Sequence, residues 1–413
     1  MLNIRKYFGL AENFISYFLF KAADAIIPLV VIKYLIDIVN LNNYGIYAFA
    51  YALIFYFQNV IQFGFDLSAV RTISLIQDDK KKLSKVYSNV LTSQIYLSLF
   101  SFIVLGFLIL FVPRITEHYI VYCFFFLLLI GELLFPMWFF LGMEKMRFMT
   151  IVNVISKSTF AILCFALIKT ESQYIYISLY HSIGYLLAGI IAQIIVYKKF
   201  GITFKFSNFR EVKLTIKEAW SAFLSMVSPT IYHNTSIFLV GAYGLPSFSG
   251  ILEIGTKVLG AFKLVITIMT NVLFPYLNRN KSAIHNIRYV FIGFGILLSL
   301  IMFFFSDFII ELWLGDNSAE VISVVKYLSP CPFLSSIISA FGINGLMIYK
   351  KDKLYSQLIF IGSVSGLLVG LILIPKYYYI GGAITIVTAL TIIALLVSIY
   401  TIKIMKEQKK QVI

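Results

Sequence analysis

Apolar segments follow one another from end to end of the chain, parted by short links that hold most of the charge. Each segment is about twenty residues long, the length of helix that crosses a hydrocarbon layer roughly 30 Å thick. Lipid offers no partner to a stray backbone polar group, so a crossing segment must be a helix or part of a closed barrel. Barrel strands alternate apolar and polar residues, whereas these runs are continuous. The pattern predicts an all-α polytopic membrane protein.

Twelve spans can be drawn. They fall at about residues 10–34, 44–65, 86–112, 119–141, 149–168, 174–197, 220–243, 249–274, 288–308, 321–347, 356–374 and 381–402. Pro330 and Pro332 must break or bend the tenth. The longest link, basic residues 198–219, divides an N-terminal six-helix bundle (1–197) from a C-terminal one (220–413). Two such halves around a central cavity are a common plan for secondary transporters.

Charge in the links sets the orientation. One set of links carries Arg5, Lys6, Arg71, Lys80, Lys81, Lys82, Lys85, Lys145 and Arg147. The same set continues with the basic residues of 198–217, Arg279, Lys281, Arg288, Lys350, Lys351, Lys353 and the tail lysines 403, 406, 409 and 410. The opposite set has only Arg114, Lys169 and Lys376. Strict alternation predicts an even number of spans with both termini cytoplasmic.

Composition narrows the function. Hydrophobic residues make up 60% and charged residues 13% of 413 positions, which leaves no room for a separate soluble domain. The net charge of +15 would suggest nucleic acid in a soluble chain; here the positive-inside bias accounts for it, and no nucleic acid is expected. The sequence has no Walker A, zincin or nucleophile-elbow motif and no metal-ligand cluster, so neither cofactor nor metal is expected. Cys123, Cys164 and Cys331 all fall within predicted helices, against a disulfide framework. Residues 1–9 lack a short apolar stretch with a cleavage site, so the first span is expected to be retained.

Seven ionisable residues lie deep in the apolar segments: Lys21, Asp24, Glu132, Lys157, Glu253, Lys257 and Lys263. Facing lipid, each would cost at least about 2.5–3.5 kcal/mol, and together on the order of 20 kcal/mol. They must face one another or a hydrated cavity. In the second span Phe55, Gln58, Gln62 and Asp66 follow helical steps, and in the eighth Glu253, Lys257, Gly260, Lys263, Thr267 and Asn271 do the same. Tyr17, Lys21, Asp24 and Pro28 share a face of the first span; Ser225, Ser228, Tyr232 and Ser236 share one of the seventh. The simplest arrangement turns these four stripes toward a common cavity. Lys21–Asp24 and Glu253–Lys257 also have the spacing of self-neutralising pairs that merely fasten helices. Lys157 and Lys263 lack a local partner of opposite sign and are the better cavity candidates. Glu132 suits either a protonatable coupling site or a pair with a lysine of another helix. Gln58 and Gln62 suit either sugar contact or interhelical hydrogen bonds. His181 and His233 read as hydrogen-bonded packing residues. The deep charges lean cationic, which suits an anionic cargo; lysine binds phosphate as a point charge.

Three stretches carry a family resemblance: YGIYAFAYALIFYFQNVIQFGFDLSAVRTIS (44–74), PMWFFLGMEKMRFMTIVNVISK (136–157) and LFPYLNR (273–279). With these the chain resembles the Wzx type of O-antigen and polysaccharide flippases, in the superfamily that includes multidrug and toxin extrusion transporters. The resemblance implies twelve helices in two bundles around a central cavity, working by alternating access in the bacterial inner membrane. The implied cargo is an undecaprenyl-pyrophosphate-linked oligosaccharide. The implied surroundings are membrane lipids, a polysaccharide polymerase and a chain-length regulator, with the flippase itself a monomer. Asp66 and Arg71 belong to the FGFD…R stretch and would form a cytoplasmic gate. The cavity lysines Lys21, Lys157, Lys257 and Lys263 would attract pyrophosphate, with Gln58, Gln62, Thr267 and Asn271 as polar lining. Asp24, Glu132 or Glu253 would pair with them or carry a coupling proton or sodium ion. A drug/cation antiporter of the same superfamily is the rival, but it calls for an acidic cavity. A membrane polysaccharide polymerase would need a large outward loop, and every outward link is short.

Overall fold

The computed structural model describes residues 2–280, 283–315 and 318–412. Lys281 lies outside the described residues, as do the side chains of Arg5, Lys6, Lys406, Lys409 and Lys410. Among the described residues every regular element is a helix. The chain forms two compact units, Met1–Val227 and Ser228–Ile413.

In the first unit the two predicted leading spans form one element, α1 (Leu2–Gln62), broken at Asn40, whose φ is 64°. Asparagine tolerates that region better than most residues. Its Oδ1 accepts a bond from the Asn43 amide at 3.0 Å, and its side-chain amide donates to Glu171. After Phe63 and Gly64, both at positive φ, come α2 (Phe65–Ser74), α3 (Lys80–Phe111) and the single turn α4 (Pro113–Thr116). The predicted fourth span is not one helix. α5 (Tyr119–Leu134) stops before Pro136, and α6 (Met137–Gly142) restarts after it. Proline drives the residue before it out of the helical region, and Phe135 sits at φ −98°, ψ 88°. α7 (Met146–Leu167), a 3-10 turn (Glu171–Ile175) and α8 (Tyr176–Phe200) follow. Gly201, at φ 66°, ends α8 in the left-handed region. Only residues 201–208 of the predicted 198–219 link are non-helical, because α9 (Phe209–Tyr243) begins early.

The short non-helical strap is zipped onto α3. The amides of Thr203, Lys205 and Ser207 donate to the hydroxyls of Ser84, Ser88 and Thr92 at 3.2, 3.1 and 3.2 Å. Two residues of extended chain advance about 6.7 Å and four residues of helix about 6 Å, so the two registers stay in step.

Two of the three stretches that carry the resemblance, 44–74 and 136–157, lie in this unit and touch. Phe63 stacks on Phe223 with centroids 4.4 Å apart, and a Cβ on Gly64 would run into the backbone of Ala222 and Phe223. Trp138 is fully buried and donates to Gln94, while a Cβ on Gly142 would press on Ile73 of α2.

In the second unit α10 (Pro246–Arg279), α11 (Ile284–Phe304) and α12 (Ser306–Leu314) precede a broken tenth span. The break falls where the prolines require it: α13 (Ala319–Leu328) ends at Ser329, and Pro330 caps α14 (Cys331–Ile337). A π-helical stretch, Ile338–Met347, continues it. The last two predicted spans form α15 (Asp352–Val412), broken at Tyr378.

α3 shows what surrounds the molecule. Its small polar residues Ser88, Thr92, Ser98 and Ser101 are buried, while Tyr96, Leu99, Phe100, Ile103, Phe107 and Leu110 face outward, Ile103 at 72% exposure. An apolar face of that extent suits lipid and not water, and small residues inside let helices approach closely. Among the described residues eight helical stretches are long and apolar enough to cross a membrane. The protein is a multi-pass membrane protein.

Candidate functional site

Within the first unit the embedded charges of α1, α5 and α7 meet. Asp24 of α1 pairs with Lys157 of α7 at 3.8 Å and accepts from Asn153 at 3.2 Å. Lys157 has no partner on its own helix and takes a carboxylate from α1, and of the two arrangements open to Asp24 it adopts this pair and not the one with Lys21. The Lys157 amine also lies 5.4 Å from the Tyr185 ring centre. The Lys21 amine lies over the rings of Tyr17 and Phe20, at 5.7 and 5.3 Å, and has no carboxylate contact among the described residues. Such cation–π contacts are worth about 0.5–1 kcal/mol at accessible sites, far less than an ion pair in a dry interior. Lys21 is half-buried, with its amine outside ion-pair distance of any carboxylate among the described residues.

Glu132 of α5 is buried and held by both glutamines of the α1 stripe. Gln58 Nε2 donates to one oxygen at 2.8 Å and Gln62 Nε2 to the other at 2.5 Å. Four-residue spacing puts both amides on one face, so one carboxylate engages two consecutive turns of α1. These glutamines tie α1 to α5. Their own carbonyl oxygens are buried without a partner, as is Oδ1 of Asp66 at the start of α2. Arg71 is exposed and makes no ion pair with Asp66.

His181 is a packing residue, as its setting in the sequence suggested. It is buried, shares a 2.9 Å hydrogen bond with Tyr47, and lies among the rings of Tyr51, Phe160 and Tyr185.

In the second unit α10 carries the charges. Glu253 is buried and pairs with Lys257 at 3.1 Å, the fastening pair that its spacing allowed. Lys263 is half-buried, and no carboxylate lies within ion-pair distance of it among the described residues. Its turn continues with Thr267, half-buried, and Asn271, exposed; a Cβ on Gly260 would meet open space. This face of α10 is open. On α9 Ser228, Tyr232 and Ser236 are buried and Ser225 is half-buried. The ring of His233 bonds the Asn234 side chain at 3.1 Å.

The arrangement can fix helices through Asp24–Lys157, Glu253–Lys257 and the Glu132 clamp, and it offers Lys21 and Lys263 as amines without carboxylate contacts. Among the described residues no cluster of His, Cys, Asp and Glu could hold a metal. Sequence reasoning missed Asn153 and Tyr185 of α7 and α8. Asn153 stands four residues before Lys157, and that spacing was the available signal.

Known proteins give this geometry a context. The chain is 25% identical to a protein of Escherichia coli (strain K12) named "Putative O-antigen transporter", over 92% of this chain and 93% of that one. A protein of the same name from Shigella dysenteriae is also 25% identical, over 96% and 100%. The fold is shared with the lipid II flippase MurJ in an inward closed conformation, at TM-score 0.71 and 17% identity over 93% of this chain and 87% of that one. It is shared too with an inward-facing multidrug resistance MATE family transporter of the MOP superfamily, at TM-score 0.66 and 14% identity over 94% and 96%. These relatives are named as transporters or flippases, not enzymes. The family described as "Polysaccharide biosynthesis protein" matches residues 10–281, well over half of the sequence, and the chain belongs to it.

Proposed function

We propose that the protein is a flippase that carries a polysaccharide repeat unit, linked to undecaprenyl pyrophosphate, across the bacterial inner membrane by alternating access. The observation that carries this reading is a pair of ammonium groups, Lys21 and Lys263, on apolar helices without carboxylate contacts, in a polysaccharide biosynthesis protein. A glycan head group cannot enter hydrocarbon unaided, since its hydroxyls and charges would lose water with nothing in return. Amines on open helix faces supply the attraction that the pyrophosphate needs, and no bond is made or broken. Lys157 and Lys257, held by Asp24 and Glu253, orient the polar faces. Twelve crossings with cytoplasmic termini require both halves of α1, α9 and both halves of α15 to cross together with the remaining apolar stretches.

Of the three embedded acids, Asp24 and Glu253 already have lysines at contact distance. Glu132 has amides instead, and it is the carboxylate that can take up and release a coupling proton. The rival, an ion-coupled drug/cation antiporter, calls for unpaired acids on the open faces, where this chain has amines. Replacing Lys21 or Lys263 with Ala should lower surface polysaccharide at unchanged protein level in a flippase-deficient host, and Arg should restore part of it. Full export by both single variants and by the double variant would end this reading. A changed drug sensitivity with normal polysaccharide would favour the antiporter.

A further inference from the structure

A second basic site lies in the first unit, apart from the embedded charges. The first turns of α3, the strap 201–208 and the start of α9 line an open hollow of about 440 Å³. Lys80, Lys81, Lys85 and Lys205 line it. The one carboxylate among its lining residues, Glu211, is taken by Lys85 at 3.0 Å. The neighbouring Asp79 is engaged elsewhere, on the Lys81 and Lys82 amides and the Lys82 amine. Lys80, Lys81 and Lys205 therefore face the hollow with no carboxylate of their own among the described residues.

A positive-inside bias explains lysines at this end of α3, but not their gathering with Lys205 around one hollow. The strap is held by its three amides and by a 2.6 Å bond from Ser207 Oγ to Asn89 Oδ1. These bonds hold the backbone of Lys205 against α3, so that its side chain lines the same hollow as Lys80 and Lys81.

Depth indicates the ligand. The 32 residues of α3 make about 48 Å of helix, against a hydrocarbon core of roughly 30 Å. The far end of α3 is apolar to its last residue, Phe111. The excess of about 18 Å therefore falls at the lysine end, so the hollow begins at head-group level near Asn89 and extends into the water beyond it. Phe204 and Phe206 of the strap are exposed, with Phe206 on the rim of the hollow. Exposed rings beside an ammonium cluster suit a molecule with an anionic head and an apolar body.

We propose that this hollow binds the phosphate group of an anionic phospholipid. The site is independent of the cargo reading above. The test is native mass spectrometry of the full-length protein with phosphatidylglycerol or phosphatidylcholine added at matched concentration. Calorimetry with inorganic pyrophosphate runs in parallel. The wild type should retain the anionic lipid over the zwitterionic one by roughly tenfold, given the attraction of a few lysines for an anionic surface. The triple variant Lys80→Gln/Lys81→Gln/Lys205→Gln should lose that preference, and the corresponding Lys→Arg triple should keep it. A control, Lys350→Gln/Lys351→Gln/Lys353→Gln, should behave as wild type. Equal loss in the control, or an unchanged preference in the pocket variant, overturns the proposal. Pyrophosphate binding that the pocket variant loses, without any lipid preference, overturns the lipid assignment and makes the site one for soluble phosphate.

Discussion

Glu132 is the residue where structure and coupling can be separated by one substitution. Its two oxygens accept from two buried amides, and an unsatisfied buried donor costs about 1–3 kcal/mol. Glu132→Ala strands both donors and opens a void, so it should lower the melting temperature clearly. Glu132→Gln keeps the volume and one acceptor oxygen, and one of the two glutamines can rotate its unpartnered carbonyl oxygen toward the new NH2, so it should melt close to wild type. If Glu132 carries the coupling proton, the Gln variant will fold, reach the membrane and yet export little polysaccharide, at any external pH. Export at the wild-type level by a well-folded Gln variant would reduce Glu132 to a helix clamp. The presence of these charges was legible in the sequence, because none could be left facing lipid. Their partners were legible only where both lie on one helix. Glu253–Lys257 follows from four-residue spacing, but Asp24–Lys157 joins residues 133 positions apart, and nothing local distinguishes Lys157 from Lys263. Lys21 and Asp24 have a spacing that permits a pair, and the nearby rings of Tyr17 and Phe20 take the amine instead.

At the scale of elements, the helices of the first unit come close where side chains are missing. Gly131 of α5 faces Gly189 of α8: a Cβ on Gly189 would sit 2.7 Å from the Gly131 carbonyl oxygen and from Leu134 Cβ. A Cβ on Gly131 would press on the backbone of Tyr185 and Leu186. Membrane helices gain their association largely from such close packing, since lipid supplies no hydrophobic drive between them. Gly131→Leu should therefore push α5 and α8 apart and destabilise the unit by about 1–3 kcal/mol, the usual range for overpacking. It should also loosen Glu132, next in sequence. Gly106, where a Cβ meets open space, is the control: Gly106→Leu should melt as wild type. Equal melting temperatures for the two variants in detergent would contradict the packing argument. Helix breaks were legible in part. Pro330 and Pro332 sit beside polar Ser329 and announce a break; Pro136 does the same work inside an unbroken apolar run, where hydropathy gives no warning. The early start of α9 was hidden for the opposite reason. Residues 209–219 carry five charges and no apolar run, so a hydropathy reading stops short of a helix that runs on beyond the lipid.

At the scale of the whole molecule, the net charge of +15 is distributed by side. Lys80–Lys82, Lys350 and Lys351 lie in links of one predicted side, while Lys376 and the break at Tyr378 lie in a link of the other. Each lysine retained near the anionic inner surface adds about 1 kcal/mol, so a handful of residues decides the orientation of the entire chain. Both sides can be tested on one cysteine-free background, with Cys123, Cys164 and Cys331 replaced. Tyr377, exposed beside the break in α15, and Lys81, exposed at the start of α3, are each changed to Cys. A membrane-impermeant maleimide should label Tyr377→Cys in intact spheroplasts at once, and Lys81→Cys only after the membrane is opened. The links that hold these two residues are separated by many helical stretches, so their opposite labelling requires an odd number of crossings between them. Labelling of both from outside, or of neither, would mean that one apolar stretch does not cross. The alternation of charge that set the orientation would then have to be redrawn from that stretch onward.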